Sequence, residues 1–155
     1  MTPAAILVGA RTRGWRIATA ESCTGGMVAA ALTDIPGSSD VFEVGYVTYS
    51  NAAKMDLLAV QAATLMAFGA VSEEVAIEMA DGAARRSNAD LAVAITGIAG
   101  PGGSGHKPEG RVCFGIAVKG RPTITETVEF GAIGRARVRT AARDHALAML
   151  ASALA

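Results

Sequence analysis

Arg16-Ile17-Ala18-Thr19-Ala20-Glu21-Ser22-Cys23-Thr24-Gly25-Gly26-Met27-Val28-Ala29-Ala30-Ala31-Leu32 decides the fold. Arg16 to Ala20 alternates polar and apolar as a short strand does, and Met27 to Leu32 is a run of helix formers, so the stretch reads as a strand-turn-helix joint. Gly25 and Gly26 allow the backbone to approach a ligand closely. The unpaired N–H groups of the starting helix then form an anion site or an oxyanion hole, which Ser22 faces as a candidate nucleophile. A plainer alternative is a tight turn in which Ser22 or Thr24 only caps the helix. The G-x-S-x-G pattern of hydrolase elbows is absent, so no Ser/His/Asp triad follows from this segment.

Outward from this joint, strands alternate with helices. Thr2 as cap and Pro3 at the first helical position begin a helix that places Ile6, Leu7 and Ala10 on one face, packed on the sheet, and ends before Gly14. Asp34 to Asp40 is a loop by composition, followed by a strand from Val41 to Tyr49 and a helix capped by Asn51 that carries Lys54, Leu57 and Leu58. Gln61 to Phe68 reads as a helix stopped by Gly69. Ser72, Glu73 and Glu74 open another, which runs to about Arg86 with Val75, Met79 and Ala83 on one face. Leu91 to Ile95 is a strand buried on both faces that runs into Thr96-Gly97-Ile98-Ala99-Gly100-Pro101-Gly102-Gly103-Ser104-Gly105. Arg111 to Val118 and Thr123 to Phe130 read as a hairpin turning at Gly120-Arg121-Pro122, and a helix from about Gly134 to Leu154 closes the chain. The expectation is a single α/β domain over residues 1–155, a three-layer α/β/α sandwich on a mixed sheet. In such sheets ligands bind beyond the carboxyl ends of the strands, where the turns at Ser22 to Gly26, Tyr49 to Lys54 and Thr96 to Gly105 would meet.

Composition narrows the function. With 155 residues, 51% of them hydrophobic, the chain can bury one core, removing about 70% of its unfolded surface. Fourteen basic and fourteen acidic residues leave no net charge, which argues against a general nucleic-acid or membrane-surface binder and favours a small, locally charged ligand. Cys23 and Cys113 make neither a metal spacing nor a disulfide framework, so the thiols read as buried in a reducing, cytoplasmic setting. No signal peptide and no apolar run long enough to span a membrane is recognisable. The apolar composition suggests a homo-oligomer.

The chemistry is carried by a few residues. Gly100, Gly102 and Gly105 spell G-x-G-x-x-G, but His106-Lys107-Pro108 and a strand follow where a dinucleotide fold needs a helix. What remains is a glycine-rich nest for a phosphate, or a flexible surface loop. Arg135 and Arg139, four apart near the start of the last helix, share a face and either clamp an anion or form a solvated basic surface. His145 reads as a packing or surface residue, and His106 lies in the glycine loop. Lys54, at about the third position of its helix, meets an unfavourable dipole as an ammonium, which suits a neutral amine acting as base to Ser22. Tyr49 could relay the proton. The plainer alternatives are a surface lysine and a half-buried strand tyrosine.

Taken together, Ala20-Glu21-Ser22-Cys23-Thr24-Gly25-Gly26, Pro36-Gly37-Ser38-Ser39, Val47-Thr48-Tyr49-Ser50-Asn51-Ala52-Ala53-Lys54, Gly69-Ala70-Val71-Ser72 and Thr96-Gly97-Ile98-Ala99-Gly100-Pro101 closely resemble the CinA C-terminal domain family, which includes nicotinamide mononucleotide deamidases. The resemblance covers nearly the whole chain in order. It implies metal-free, cofactor-free hydrolysis of nicotinamide mononucleotide to nicotinate mononucleotide and ammonia, in a stand-alone form without the N-terminal domain of two-domain relatives. By the motif match Ser22 would be the nucleophile, Lys54 and Tyr49 its activating partners, and Ser39 and Thr96 pocket residues. Thr24, Gly25 and Gly26 would hold the oxyanion, and Gly97, Gly100 and Arg135 the phosphate. Family members often carry Gly-Asp-Arg where this chain has Ile133-Gly134-Arg135, which keeps the arginine without the acid. A binding or regulatory module that keeps the pocket without chemistry is the competing expectation, and an amidase or pyrophosphatase acting on a related pyridine nucleotide a third.

Overall fold

The computed structural model describes residues 2–155. Its strands are β1 (Ile17–Glu21), β2 (Phe42–Val47), β3 (Leu91–Gly97), β4 (Arg111–Val118) and β5 (Ile124–Glu129), joined in one sheet of order β2-β1-β3-β4-β5. β1 runs parallel to β2 and β3, whereas β4 is antiparallel to β3 and to β5, so the sheet is mixed. The helices are α1 (Pro3–Arg13), α2 (Met27–Thr33), α3 (Asn51–Leu58), α4 (Ala62–Phe68), α5 (Glu73–Ser87) and α6 (Arg135–Ala153). Short-range signals set several boundaries. The Thr2 side chain accepts from the Ala5 amide, Pro3 opens α1 and a left-handed Gly14 closes it, while the Ser72 hydroxyl caps α5 at Val75.

The two faces of the central strands differ in side-chain size. Ile17, Leu91, Val93 and Ile95 pack with Ile6 and Leu7 of α1, Val28 and Leu32 of α2 and Val138 and Leu150 of α6. On the opposite face Ala18, Ala20, Ala92 and Ala94 meet Leu58 of α3 and Val75, Met79 and Ala83 of α5. This alanine face lets α5 lie close to the sheet: a Cβ on Gly115 of β4 would stand 2.6 Å from the Ala76 carbonyl oxygen. α3 and α5 approach as closely, since a Cβ on Gly82 would lie 1.9 Å from the Leu58 carbonyl oxygen. Gly82→Ala is therefore expected to cost about 1–3 kcal/mol or more in a denaturant titration, because backbone rather than a movable side chain blocks the methyl group.

Two expectations need correction here. β1 is buried along its whole length, so what alternates is size rather than polarity, and Thr19 is inside with its hydroxyl unpartnered. The cap of α3 is Ser50, whose hydroxyl accepts from the Ala53 amide; Asn51 is the first helical residue, Lys54 the fourth, and Leu57 is exposed.

Candidate active site

The parallel strands β1, β2 and β3 end on the same side of the sheet, where Ser22, Thr48-Tyr49 and Thr96-Gly97 follow them. β5 leads into α6 at that side too. A cavity of about 350 Å³ opens there, lined by Ser22, Cys23, Tyr49, Lys54, Thr96 and Arg135 together with residues of the Gly97 to Ser104 loop. Its size suits a small molecule. A larger hollow of about 420 Å³ lies between β4, β5 and α6; there His145 stands 2.8 Å from Glu126 and packs on the Phe114 ring, away from Ser22. Among the described residues no three His, Cys, Asp or Glu side chains converge to hold a metal, and no helix is long and apolar enough to cross a membrane.

Ser22 and Lys54 meet. The Lys54 Nζ is 2.9 Å from the Ser22 Oγ and 2.8 Å from the Thr48 carbonyl oxygen, and the lysine is only 2% exposed. No carboxylate pairs with it among the described residues. Burial pushes its pKa down to about 8, so a minority of molecules, far more than for an ordinary lysine, carry a neutral amine near physiological pH. The cause is loss of water rather than the helix dipole that the sequence suggested. Once neutral, the amine can accept the Ser22 proton directly. Cys23, one residue on, is buried, and its thiol is pushed up to about 11, mainly by burial, which disfavours the thiolate a cysteine nucleophile requires.

The other expected residues divide. Thr96, Gly97, Gly100 and Arg135 line the cavity, and the Thr96 hydroxyl donates to the Ala70 carbonyl at 2.8 Å. Tyr49 lines it at the rim, 56% exposed, with its phenol oxygen accepting from Arg135 at 2.6 Å and no hydrogen bond to Ser22 or Lys54. A proton relay through Tyr49 therefore has no path in this geometry. Arg135 also donates to the Gly100 carbonyl at 2.7 Å, tying α6 to the glycine loop. Arg139 does not join it as an anion clamp, because its guanidinium bonds the Cys23 and Thr24 carbonyl oxygens.

Thr24, Gly25 and Gly26 do not line the cavity. Two of their amides differ from the third: the Gly25 amide bonds the Ser22 carbonyl oxygen and the Gly26 amide, like the Thr24 hydroxyl, bonds the Glu21 carboxylate, whereas the Thr24 amide has no hydrogen-bond partner in another described residue but lies outside the cavity lining. Ser39 is at the wrong end of the sheet. It lies in a short 3-10 turn, Ser38–Asp40, before β2, and its carbonyl oxygen accepts from Arg16 at the start of β1. Two amides of the glycine loop are likewise taken, that of Gly102 by Glu109 and that of Ser104 by the Lys107 carbonyl oxygen. Lys107 in turn donates to the Phe68 and Val71 carbonyl oxygens and pins the loop to the α4–α5 turn.

Sequence reading missed Glu21 and Arg139 as organisers of the Ser22 turn. Glu21 is fully buried and receives hydrogen bonds from Thr24, Gly26, Val28 and Ala29. An acid at the end of an otherwise buried strand, directly before a glycine-containing turn, was the available signal.

Known proteins similar to this chain are numerous. A "CinA-like protein" of Chlorobium limicola is 64% identical over 66% of this chain and 24% of its own length. A protein of Enterobacter agglomerans named "Nicotinamide-nucleotide amidohydrolase PncC" is 53% identical, covering 76% of this chain and 74% of its own. Most of the curated relatives are longer, and the chain spans only 24% to 34% of their length. The crystal structure of the competence/damage inducible protein CihA from Agrobacterium tumefaciens superimposes with a TM-score of 0.94 at 46% identity, covering 97% of this chain and 92% of that one. Residues 2–154 match the CinA C-terminal domain from end to end, and the chain belongs to that family.

Proposed function

We propose that residues 1–155 form one amidase domain that hydrolyses the carboxamide of a pyridine nucleotide, nicotinamide mononucleotide, to the carboxylate and ammonia. The observation that carries this reading is the buried Lys54 amine at 2.9 Å from the Ser22 hydroxyl, with no carboxylate beside it to hold it charged. The name of the Enterobacter agglomerans relative supports the choice of substrate.

Ser22 Oγ attacks the carboxamide carbon while its proton passes to Lys54 Nζ. The tetrahedral intermediate collapses as Lys54 returns that proton to the departing nitrogen, and ammonia leaves an ester on Ser22. Water, deprotonated by the same amine, hydrolyses the ester and restores the hydroxyl. A cationic pyridinium ring helps twice: it makes its carboxamide more electrophilic, and it disfavours a second positive charge on Lys54. Arg135 and Tyr49, exposed side chains that line the same cavity as Ser22, suit the phosphate and ribose end of such a ligand.

A small panel of substrates tests the reading. Purified protein is expected to release ammonia from nicotinamide mononucleotide and yield nicotinate mononucleotide by mass, with less activity on the riboside and least on free nicotinamide. Absence of ammonia from all three would leave a binding module in place of an enzyme. In the same assay Arg135→Ala is expected to raise KM for the nucleotide about 10- to 100-fold, as loss of a charge-assisted contact would, and to change KM for the riboside little. An equal loss on both substrates would remove Arg135 from the phosphate subsite.

A further inference from the structure

Glu21 is a buried charge that the amidase steps above do not use. Its Oε1 accepts from the Thr24 hydroxyl at 2.6 Å, the Gly26 amide at 3.2 Å and the Val28 amide at 3.0 Å, and its Oε2 from the Ala29 amide at 3.0 Å. Every partner is a donor, as a carboxylate requires, and among the described residues Glu21 forms no ion pair. A buried carboxylate is costly unless so bonded. An ordinary helix start uses its own cap residue; here that residue is Gly26, at φ 104° with no side-chain cap, and the last residue of β1 serves instead. The chain thus leaves the carboxylate at the end of β1, passes through Ser22 and Cys23, and returns to it at Thr24, which closes the nucleophile turn into a ring.

Arg139 grips that ring from α6. Its Nε lies 3.0 Å from the Cys23 carbonyl oxygen and its second nitrogen 3.4 Å from that of Thr24. Inside the turn the Ser22 carbonyl oxygen accepts from Gly25. In a trans peptide the next N–H points the opposite way, so the Cys23 N–H is directed out of the turn. Cys23 lines the same cavity as Ser22, and its amide has no hydrogen-bond partner in another described residue. The Ser22 amide is unavailable, being bonded to the Ile95 carbonyl oxygen at 2.9 Å.

We propose that the Cys23 amide is the oxyanion donor for attack by Ser22, and that Glu21 and Arg139 are positioning residues that aim it. The proposal rests on the amidase reading. As the Ser22 Oγ–carbon bond forms and the Oγ proton moves to Lys54, the carbonyl π pair moves onto oxygen, where the Cys23 N–H donates to it. Loss of one such donor lowers kcat by about 10²–10³-fold elsewhere, so misaiming it sets the expected scale.

The test uses the whole chain with Glu21→Gln, Arg139→Met, Arg139→Lys and, as a control on the next turn of α6, Arg143→Met, assayed for ammonia release from nicotinamide mononucleotide. Glu21→Gln turns an amide nitrogen towards one of four donors, and Arg139→Met releases both carbonyls from the guanidinium, leaving that of Thr24 with the Met27 amide alone. Both are expected to lower kcat by about 10- to 100-fold with KM within about twofold and the bend in the pH profile unmoved. Arg139→Lys should recover part of the loss, and Arg143→Met should match the unaltered protein. Folded Arg139→Met turning over within about threefold of the unaltered protein, or a loss confined to KM, overturns the proposal; if Glu21→Gln does not fold, Arg139→Met decides alone. Failure of the amidase reading is seen separately: the unaltered protein would release no ammonia, or Ser22→Ala would match it, and the proposal would fall with that reading.

Discussion

Ser22→Ala is expected to reduce ammonia release from nicotinamide mononucleotide by about 10³- to 10⁶-fold while leaving nucleotide affinity within about threefold, read by calorimetry. The separation follows from the layout of the cavity. Arg135 and Tyr49, which suit the charged end of the ligand, are exposed, whereas Ser22 is half-buried against the buried Lys54. Removing the hydroxyl also frees the Lys54 amine from one partner but leaves its bond to the Thr48 carbonyl oxygen, so the lysine stays in place. A variant that retained turnover would make Ser22 a binding residue, and Cys23 could not take over readily, with its thiol pushed up to about 11 by burial.

Lys54→Arg is the companion substitution and is expected to lower kcat by about 10²- to 10⁴-fold, the range over which general-base catalysis contributes. It preserves charge and removes only the ability to lose a proton at accessible pH. Guanidinium would also remain a cation in a site with no carboxylate partner, so a fall in stability by thermal denaturation should accompany the loss. Lys54→Met separates the two effects, since it is equally unable to accept a proton but brings no buried charge. Activity in Lys54→Arg near that of the unaltered protein would exclude lysine as the base.

How far the sequence carried depended on the range of each interaction. Thr2-Pro3 and Gly14 around α1, and Ser72 before α5, act over three or four residues, so these boundaries were legible. The mixed sheet followed from alternating strand and helix signals and a terminal hairpin. Ser39 was misplaced because motifs were gathered by likeness and not by topology: β2 is parallel to β1, so the loop entering it must lie at the end opposite the carboxyl ends of the strands. Lys54 does meet Ser22, but the reason the sequence offered for a neutral amine was the helix dipole. The lysine's depressed pKa comes from burial, which depends on how α3 packs against α5 through Gly82, a contact no local pattern encodes. The Gly26 amide of the Ser22 turn was misassigned for the same reason. Whether an amide is free depends on whether Glu21 reaches it, and Glu21 looks in sequence like one more polar residue at a strand end.

The pH dependence of kcat for ammonia release tests the Ser22–Lys54 pair most directly. Lys54 must be neutral to take the Ser22 proton, and its pKa is lowered from 10.5 to about 8, so activity should be lost as pH falls below that value and gained as pH rises through it. The account predicts a rate that climbs between about pH 6 and 9, is half-maximal near pH 8 and levels off above, with the bend absent from the residual activity of Lys54→Met. A rate that is flat over this range, or that climbs without a bend towards the pKa of an ordinary lysine near 10.4, would contradict it.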